Sequence, residues 1–264
     1  MKKLFKLIGI IALSALIIFS MTNCDEEGYP GALGDTLTLS GIVYAEDPDL
    51  SDELGFSFSY DPYSGKDINL TEYITGSAGT ITATGDFSFS MEAPNAEFLT
   101  DITKKVEEIT GAIYTNVTIS NKDVKIFEID GLKLSGEDFS YLFRVYHENT
   151  IIKNTVTGVT SVNANSLSAV YYYVTDDVKI TATGKNLTGE AAKDYFGAPI
   201  NGNFGNINIS LKKGWNIVKT SITESLTFTM NEEEMEASGS ISISITAGDD
   251  HKLLWVLDGT IGIF

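Results

Sequence analysis

The stretch "SISISIT", Ser240 to Thr246, places an isoleucine at every second position and a hydroxyl residue between each pair. Side chains alternate between the two faces of a strand, so a strict period of two describes a half-buried strand with one face on a core. No helix has that pattern. Five more stretches repeat it: Thr36 to Tyr44, Gly55 to Tyr60, Thr80 to Met91, Asn206 to Leu211 and Ser225 to Met230. Weaker alternation or β-branched and aromatic enrichment adds Tyr114 to Ser120, Asp123 to Asp130, Tyr141 to Glu148, Ala169 to Thr175, Val178 to Gly184, Gly214 to Ile222 and Leu253 to Leu257.

Between these segments stand "TGD", "ISNKD", "VTDD" and "AGDD", clusters of Gly, Asn and Asp that supply tight hairpin conformations. About a dozen strands in succession predict an all-β protein, an antiparallel β-sandwich. One segment departs from the pattern. In Asn95 to Gly111, Leu99, Ile102, Val106 and Ile109 recur at spacings of three and four, which predicts one covering helix near residues 98–110 that stops at Gly111. "GEAAKDYF", Gly189 to Phe196, is a weaker helical candidate. "ITATG" occurs at Ile81 to Gly85 and again at Ile180 to Gly184, but the flanks do not match and the pair reads as coincidence rather than repeat.

The chain has 264 residues, with 36 acids against 18 lysines and arginines, and Arg144 is its one arginine. A formal charge of -18 argues against nucleic acid as a partner, since a polyanion needs a basic footprint. It also argues against docking on anionic lipid through side chains alone.

Lys2, Lys3 and Lys6 precede an apolar run from Leu7 to Phe19, which has the length and flanks of a secretory signal rather than of a bilayer span. Cys24, the only cysteine, follows at the distance where a bacterial lipoprotein signal places its lipid-modified cysteine. The stretch Met21-Thr22-Asn23-Cys24 resembles a lipobox, the site at which a bacterial lipoprotein is acylated on sulfur and cleaved. The commonest lipobox has Leu where Met21 stands and Gly or Ala where Asn23 stands; looser forms with Asn are familiar in spirochaete lipoproteins. The expected organisation is a lipoprotein signal peptide at 1–23, a lipidated tether at 24–35 and a β-sandwich domain at 36–264. The expected location is the cell envelope, at the outer membrane, held by acyl chains on Cys24.

A chemical site is harder to find. His147 and His251 are the only histidines, and neither lies near a G-x-S-x-G elbow. Two histidines far apart give no zinc-ligand spacing, and no P-loop or G-x-G-x-x-G occurs. No catalytic residue, metal ligand or cofactor is assigned on these grounds. Asp47, Asp49, Asp52 and Glu53 share one expected acidic loop whose oxygen-only donors suit calcium, set against a solvated turn. Asn231 to Ala237, "NEEEMEA", reads as a charged turn. Tyr171, Tyr172 and Tyr173, together with Phe196 and Phe204 in the expected loop "FGAPINGNFGN", are the candidate ligand-binding aromatics, against the alternative that they pack in a core.

The phrases "TATGDFSFSMEAPNAEFL", "TISNKDVKI", "VYYYVTDDVKITATG" and "NISLKKGWNIV", between Gly79 and Lys219, resemble β-rich lipoproteins of the spirochaete and Bacteroidetes type. The resemblance implies one β-rich envelope domain and carries over no functional residue. "LKKGWN", Leu211 to Asn216, is expected to be a lysine-tipped hairpin with Trp215 covering the core. The expected function is a lipid-anchored, non-catalytic binding or structural module with a protein or glycan partner. The alternative is a carbohydrate-active hydrolase using paired carboxylates.

Overall fold

The computed structural model describes residues 33–52, 55–70, 77–111, 113–134, 141–154, 159–230, 235–248 and 252–258. Cys24, His251, Glu53 and the terminal "GTIGIF" lie outside them. In chain order the strands are β1 (Leu37–Asp52), β2 (Gly55–Pro62), β3 (Ile68–Asn69), β4 (Ala78–Ile81), β5 (Asp86–Met91), β6 (Thr100–Asp101), β7 (Thr115–Ile119), β8 (Lys125–Ile129) and β9 (Leu132–Lys133). Then follow β10 (Tyr141–Asn154), β11 (Val159–Val174), β12 (Val178–Thr183), β13 (Asn186–Leu187), β14 (Ile200–Phe204), β15 (Ile207–Leu211), β16 (Gly214–Met230), β17 (Met235–Ala247) and β18 (Leu254–Asp258). Two helices interrupt them, α1 (Ile102–Thr110) and α2 (Gly189–Phe196).

The chain is all-β and sandwich-like, with its polar alternation directed as the sequence predicts. β5 has Phe87, Phe89 and Met91 buried and the residues between them exposed. β17 buries Ile241, Ile243 and Ile245. The largest sheet runs β13-β14-β17-β16-β11-β10-β18-β1-β5-β4-β3, and a separate three-stranded sheet runs β15-β12-β7. Among the described residues pairing is antiparallel, as expected of the sandwich, except between β1 and β18 and between β14 and β17, which are parallel.

β1 turns a corner. Through Ile42 it pairs with β5, and from Val43 it pairs with β18 and then β2, so one long strand passes from one layer to the next. The layers enclose two cores, one on each face of β11 and β16. On one side Tyr172, Val174, Val218 and Ile222 meet the small sheet and both helices. On the other, Tyr171, Tyr173, Trp215 and Ile217 meet β1, β4 and β5. At this end of β11 four consecutive residues, Tyr171 to Val174, are buried, because both strand faces are covered.

Several expectations are corrected. Thr80 to Met91 is two strands joined by a turn at Thr82 to Gly85, where Asp86 N–H donates to Thr82 Oγ1 at 3.0 Å. In the second copy Ile180 to Thr183 lie within the strand β12 instead, which is why the repeat carries no structure. The helix is shorter at its start than predicted: Ala96–Phe98 is a 3-10 turn, Leu99 is extended, and β6 pairs with β8 before α1 begins. Gly111 ends it as expected. α2 covers "GEAAKDYF", so the weaker helical candidate is the second helix among the described residues. Asp47, Asp49 and Asp52 are not in a loop; they belong to β1, with Asp47 opposite Ser59, Asp49 opposite Ser57 and Asp52 opposite Gly55.

"LKKGWN" is not a paired hairpin either, since β15 lies in the small sheet and β16 in the large one. It is a step between layers, locked by Asn216. The Asn216 Oδ1 accepts Lys212 N–H at 2.9 Å, and its Nδ2 donates to the Lys212 and Gly214 carbonyls at 2.7 and 2.9 Å. Gly214 takes φ +97°, and a Cβ there would stand 2.5 Å from the Gly34 carbonyl oxygen. Leu33 N–H donates to Trp215 O at 2.8 Å, and Trp215 N–H donates to Gly34 O at 2.9 Å, so the incoming chain is pinned to this step. Asn216 is 1% exposed. Its replacement by alanine strands buried backbone groups and is expected to lower stability by about 2–3 kcal/mol in urea denaturation, while Asn163→Ala, on an exposed strand position, changes it by less than about 1 kcal/mol.

Candidate functional site

Three places in the fold combine shape with chemistry. The first lies beneath α1, where Val106, Ile109, Thr110, Ile126, Tyr172 and Val218 line an apolar cavity of about 30 Å3. Amphipathic spacing puts Val106 and Thr110 on the inner side of the helix, and the Thr110 hydroxyl donates to the Val106 carbonyl at 2.8 Å. One end is polar. Tyr172 Oη donates to Glu128 Oε1 at 3.3 Å, and the Lys105 ammonium is ion-paired with Glu128 Oε2. The volume is that of a single water's share of liquid. It is a packing gap with a polar edge, too small for an organic ligand.

The second place is the arginine. Arg144 Cζ sits 5.6 Å from the centroid of Trp255, and its Nη1 donates to Tyr171 Oη at 3.3 Å. The Tyr171 and Trp255 rings are parallel within 5°, with centroids 6.1 Å apart, and Phe87 leans on Trp255 at 4.7 Å. A guanidinium over an indole is a favourable cation–π arrangement, so the one arginine of the chain joins β10 to β18 across the edge of a core.

The third place is the outer face of the far half of β11, β16 and β17. Pairing aligns residues there in rows of three: Ser161, Thr227 and Ser238; Asn163, Ser225 and Ser240; Asn165, Thr223 and Ser242; Leu167, Ser221 and Ser244. Eleven of these twelve positions are Ser, Thr or Asn and none is charged. Asn163, Asn165, Thr223, Ser225, Ser238 and Ser240 are exposed and the rest half-buried. Ser225 Oγ donates to Asn163 Oδ1 at 2.9 Å. Strand spacing and rise set the outer rows roughly 20 Å apart and the outer strands roughly 10 Å apart. Gly239, at φ +141° beside this face, lets β17 lie close to β16; a Cβ there would meet the Ser225 carbonyl oxygen at 2.1 Å.

The aromatics proposed from sequence are elsewhere. Tyr171, Tyr172, Tyr173, Phe196 and Phe204 are each at most 8% exposed, so they are core rings and offer no open stacking platform. Tyr173 packs edge-on to Trp215 at 5.5 Å, and Phe204 meets Tyr114 and Tyr195. The expected recognition loop is ordered structure: Phe196 ends α2, and Ile200–Phe204 is β14, parallel to β17. His147 lies on β10 opposite Ser166. Among the described residues no group of three His, Cys, Asp or Glu side chains is placed to hold a metal ion. No protein-family model, curated protein or solved structure matches the chain.

The sequence reading missed the hydroxyl face because it used the polar positions of "SISISIT" and "SLTFTM" only as markers of alternation. The available signal was the kind of polar residue: solvent positions of an acidic chain that hold neither Lys nor Glu over four rows.

Burial, and then the Glu128 carboxylate beside it, push the Tyr172 phenol well above the ordinary tyrosine range. The folded state therefore keeps a proton that the unfolded chain releases near pH ~10. Tyr172's contribution is fully present below that pH and is lost as pH rises towards the folded-state value. The urea midpoint is expected to fall above about pH 10, and Tyr172→Phe to make that fall shallower. Tyr173 and Tyr195, also raised by burial, leave a residual slope.

Proposed function

We propose that this protein is a lipid-anchored envelope lipoprotein that acts as a non-catalytic binding module, held by acyl chains on Cys24 and contacting a neutral glycan through the hydroxyl and amide face of β11, β16 and β17. The anchor is supported by the sequence: a basic start, an apolar run, and a lone cysteine in a lipobox-like setting before an acidic stretch. More than one acyl chain is needed for lasting attachment, and lipoprotein processing supplies two or three.

The observation that carries the binding half is the uncharged face itself. In a chain of net charge -18, twelve neighbouring register positions without a carboxylate or an ammonium form an area that neither repels nor attracts ions. A neutral glycan presents hydroxyls that both donate and accept. Ser, Thr and Asn side chains do the same, so each sugar hydroxyl that leaves water finds a partner of either sense. The adjacent strands hold these groups on a rigid ladder, which limits the side-chain entropy lost on contact.

Two measurements test the two halves. In a lipoprotein-processing bacterium grown with a clickable fatty acid, the full chain is expected to carry the label and to sediment with membranes, while Cys24→Ala loses both properties. A soluble native chain with a free thiol would sink the anchor. On a glycan array, the protein is expected to retain neutral glycans in preference to acidic ones, with retention falling at least tenfold in a Thr223→Glu, Ser225→Glu variant of unchanged urea midpoint. Equal retention by that variant would remove the face from consideration, and release of shortened glycans would instead identify the paired-carboxylate hydrolase.

A further inference from the structure

We infer that the glycan taken by the hydroxyl and amide face is a linear, unbranched chain lying across the strands, one sugar over each of β11, β16, β17 and β14, and that Asn201 and Asn203 of β14 bind it. The inference rests on the neutral-glycan reading of that face and gives the ligand a shape, a direction and a length.

The uncharged face does not stop at β17. β14 pairs with β17 in parallel register, with Asn201 beside Ser240 and Asn203 beside Ser242, and β13 adds Asn186 beside Asn203. Two rows therefore cross four strands: Asn163, Ser225, Ser240, Asn201, and Asn165, Thr223, Ser242, Asn203. The second row continues to Asn186. Of these nine residues Ser242 is half-buried and the others are exposed.

Asparagine is the informative residue. It is depleted in strands, because its carboxamide competes with the ladder for backbone hydrogen bonds and packs poorly on a pleated surface. Here it fills alternate outward positions of two strands, Asn163 and Asn165 on β11 and Asn201 and Asn203 on β14, on either side of the Ser and Thr of β16 and β17. Threonine would suit each of those strand positions better. A local choice that opposes the fold marks a position that serves contact instead. A carboxamide both donates and accepts from one rigid plane, so it can hold two neighbouring sugar hydroxyls at once.

Direction follows from spacing. Side chains of one face recur at about 6.8 Å along a strand and at about 4.8 Å across the strands. The shorter repeat is close to the length of one sugar ring with its linking oxygen in an extended chain. A glycan that crosses the strands thus meets one side chain per sugar, and one that lies along them falls out of step. Along the strands the face also runs out, because Ala169, next after Leu167, is buried in a core. Across them the charged positions stand at the margins and not within the rows: Glu148 is opposite Asn165 on β10, and Lys185 precedes Asn186 on β13, the last strand of the sheet order. A substituent on the sheet-facing edge of a central sugar would lift the chain off both rows, so the ligand is unbranched.

The test titrates the full chain, purified in detergent, with linear oligomers of β-1,4-linked glucose, β-1,3-linked glucose and β-1,4-linked N-acetylglucosamine, each from two to seven sugars, by calorimetry. With the best series, affinity is expected to rise with every added sugar up to four or five and to stay level beyond. Asn201→Thr and Asn203→Thr are each expected to hold or raise the urea midpoint while lowering affinity for the five-sugar ligand about fivefold. Binding that is lost in the Thr223→Glu, Ser225→Glu variant but is flat in chain length, or is unchanged in both threonine variants, overturns the crossing chain and leaves the neutral-glycan face standing. No binding of any series overturns both.

Discussion

The paired ladder of β11 and β16 is the constraint on which the rest of the structure depends. It runs in unbroken register from Val159 opposite Thr229 to Val174 opposite Gly214. At the Gly214 end both faces are buried, and the ladder divides two cores: Tyr172 and Val218 look one way, Tyr171, Tyr173 and Trp215 the other. At the far end only one face is buried, with Ile222, Leu226 and Phe228 inward and hydroxyl residues outward. Burial on both faces makes a strand read as a continuous apolar run, and burial on one makes it alternate. A single strand pair therefore changes sequence character halfway along, from "AVYYYV" to "VNANSLS" and from "GWNIV" to "SLTFTM".

That change separates stability from contact. The doubly covered half holds the aromatic weight of the fold, including Trp215 at 0% exposure between Phe127 and Tyr173. The singly covered half leaves a regular array of small polar side chains on a backbone fixed from below. The step at Lys212 to Asn216 connects the small sheet to this ladder and also receives the incoming chain at Leu33 and Gly34. One buried asparagine thus fixes the step between the layers, because its amide can satisfy three backbone groups at once where no strand partner is in reach.

Much of the fold was legible. Period-two alternation located β2, β5, β15 and β17, and Gly111 marked the end of α1, since each is a local property of side-chain pattern or backbone freedom. The outer halves of β10 and β11 were not legible: "NTIIKN" and "VTSVNANSLS" lack clean alternation, and they are strands because they pair with each other and β16 pairs with the other edge of β11. "EDPDLSD" reads as a loop from its acids and Pro48, yet it is strand because β2 folds back on it. The candidate site was less legible still. Tyr171, Tyr172 and Tyr173 attract notice as a cluster, but aromaticity alone does not tell a platform from a core ring.

By itself the sequence determined the β class, the acidic character of the chain and the setting of its one cysteine, because each follows from composition or from neighbours along the chain. Only the tertiary structure decided which rings are buried, which strands lie parallel, and that serines and threonines from β16 and β17 join asparagines from β11 on one face. Those strands are joined through register, and register is a long-range pairing settled by what the opposite face must bury.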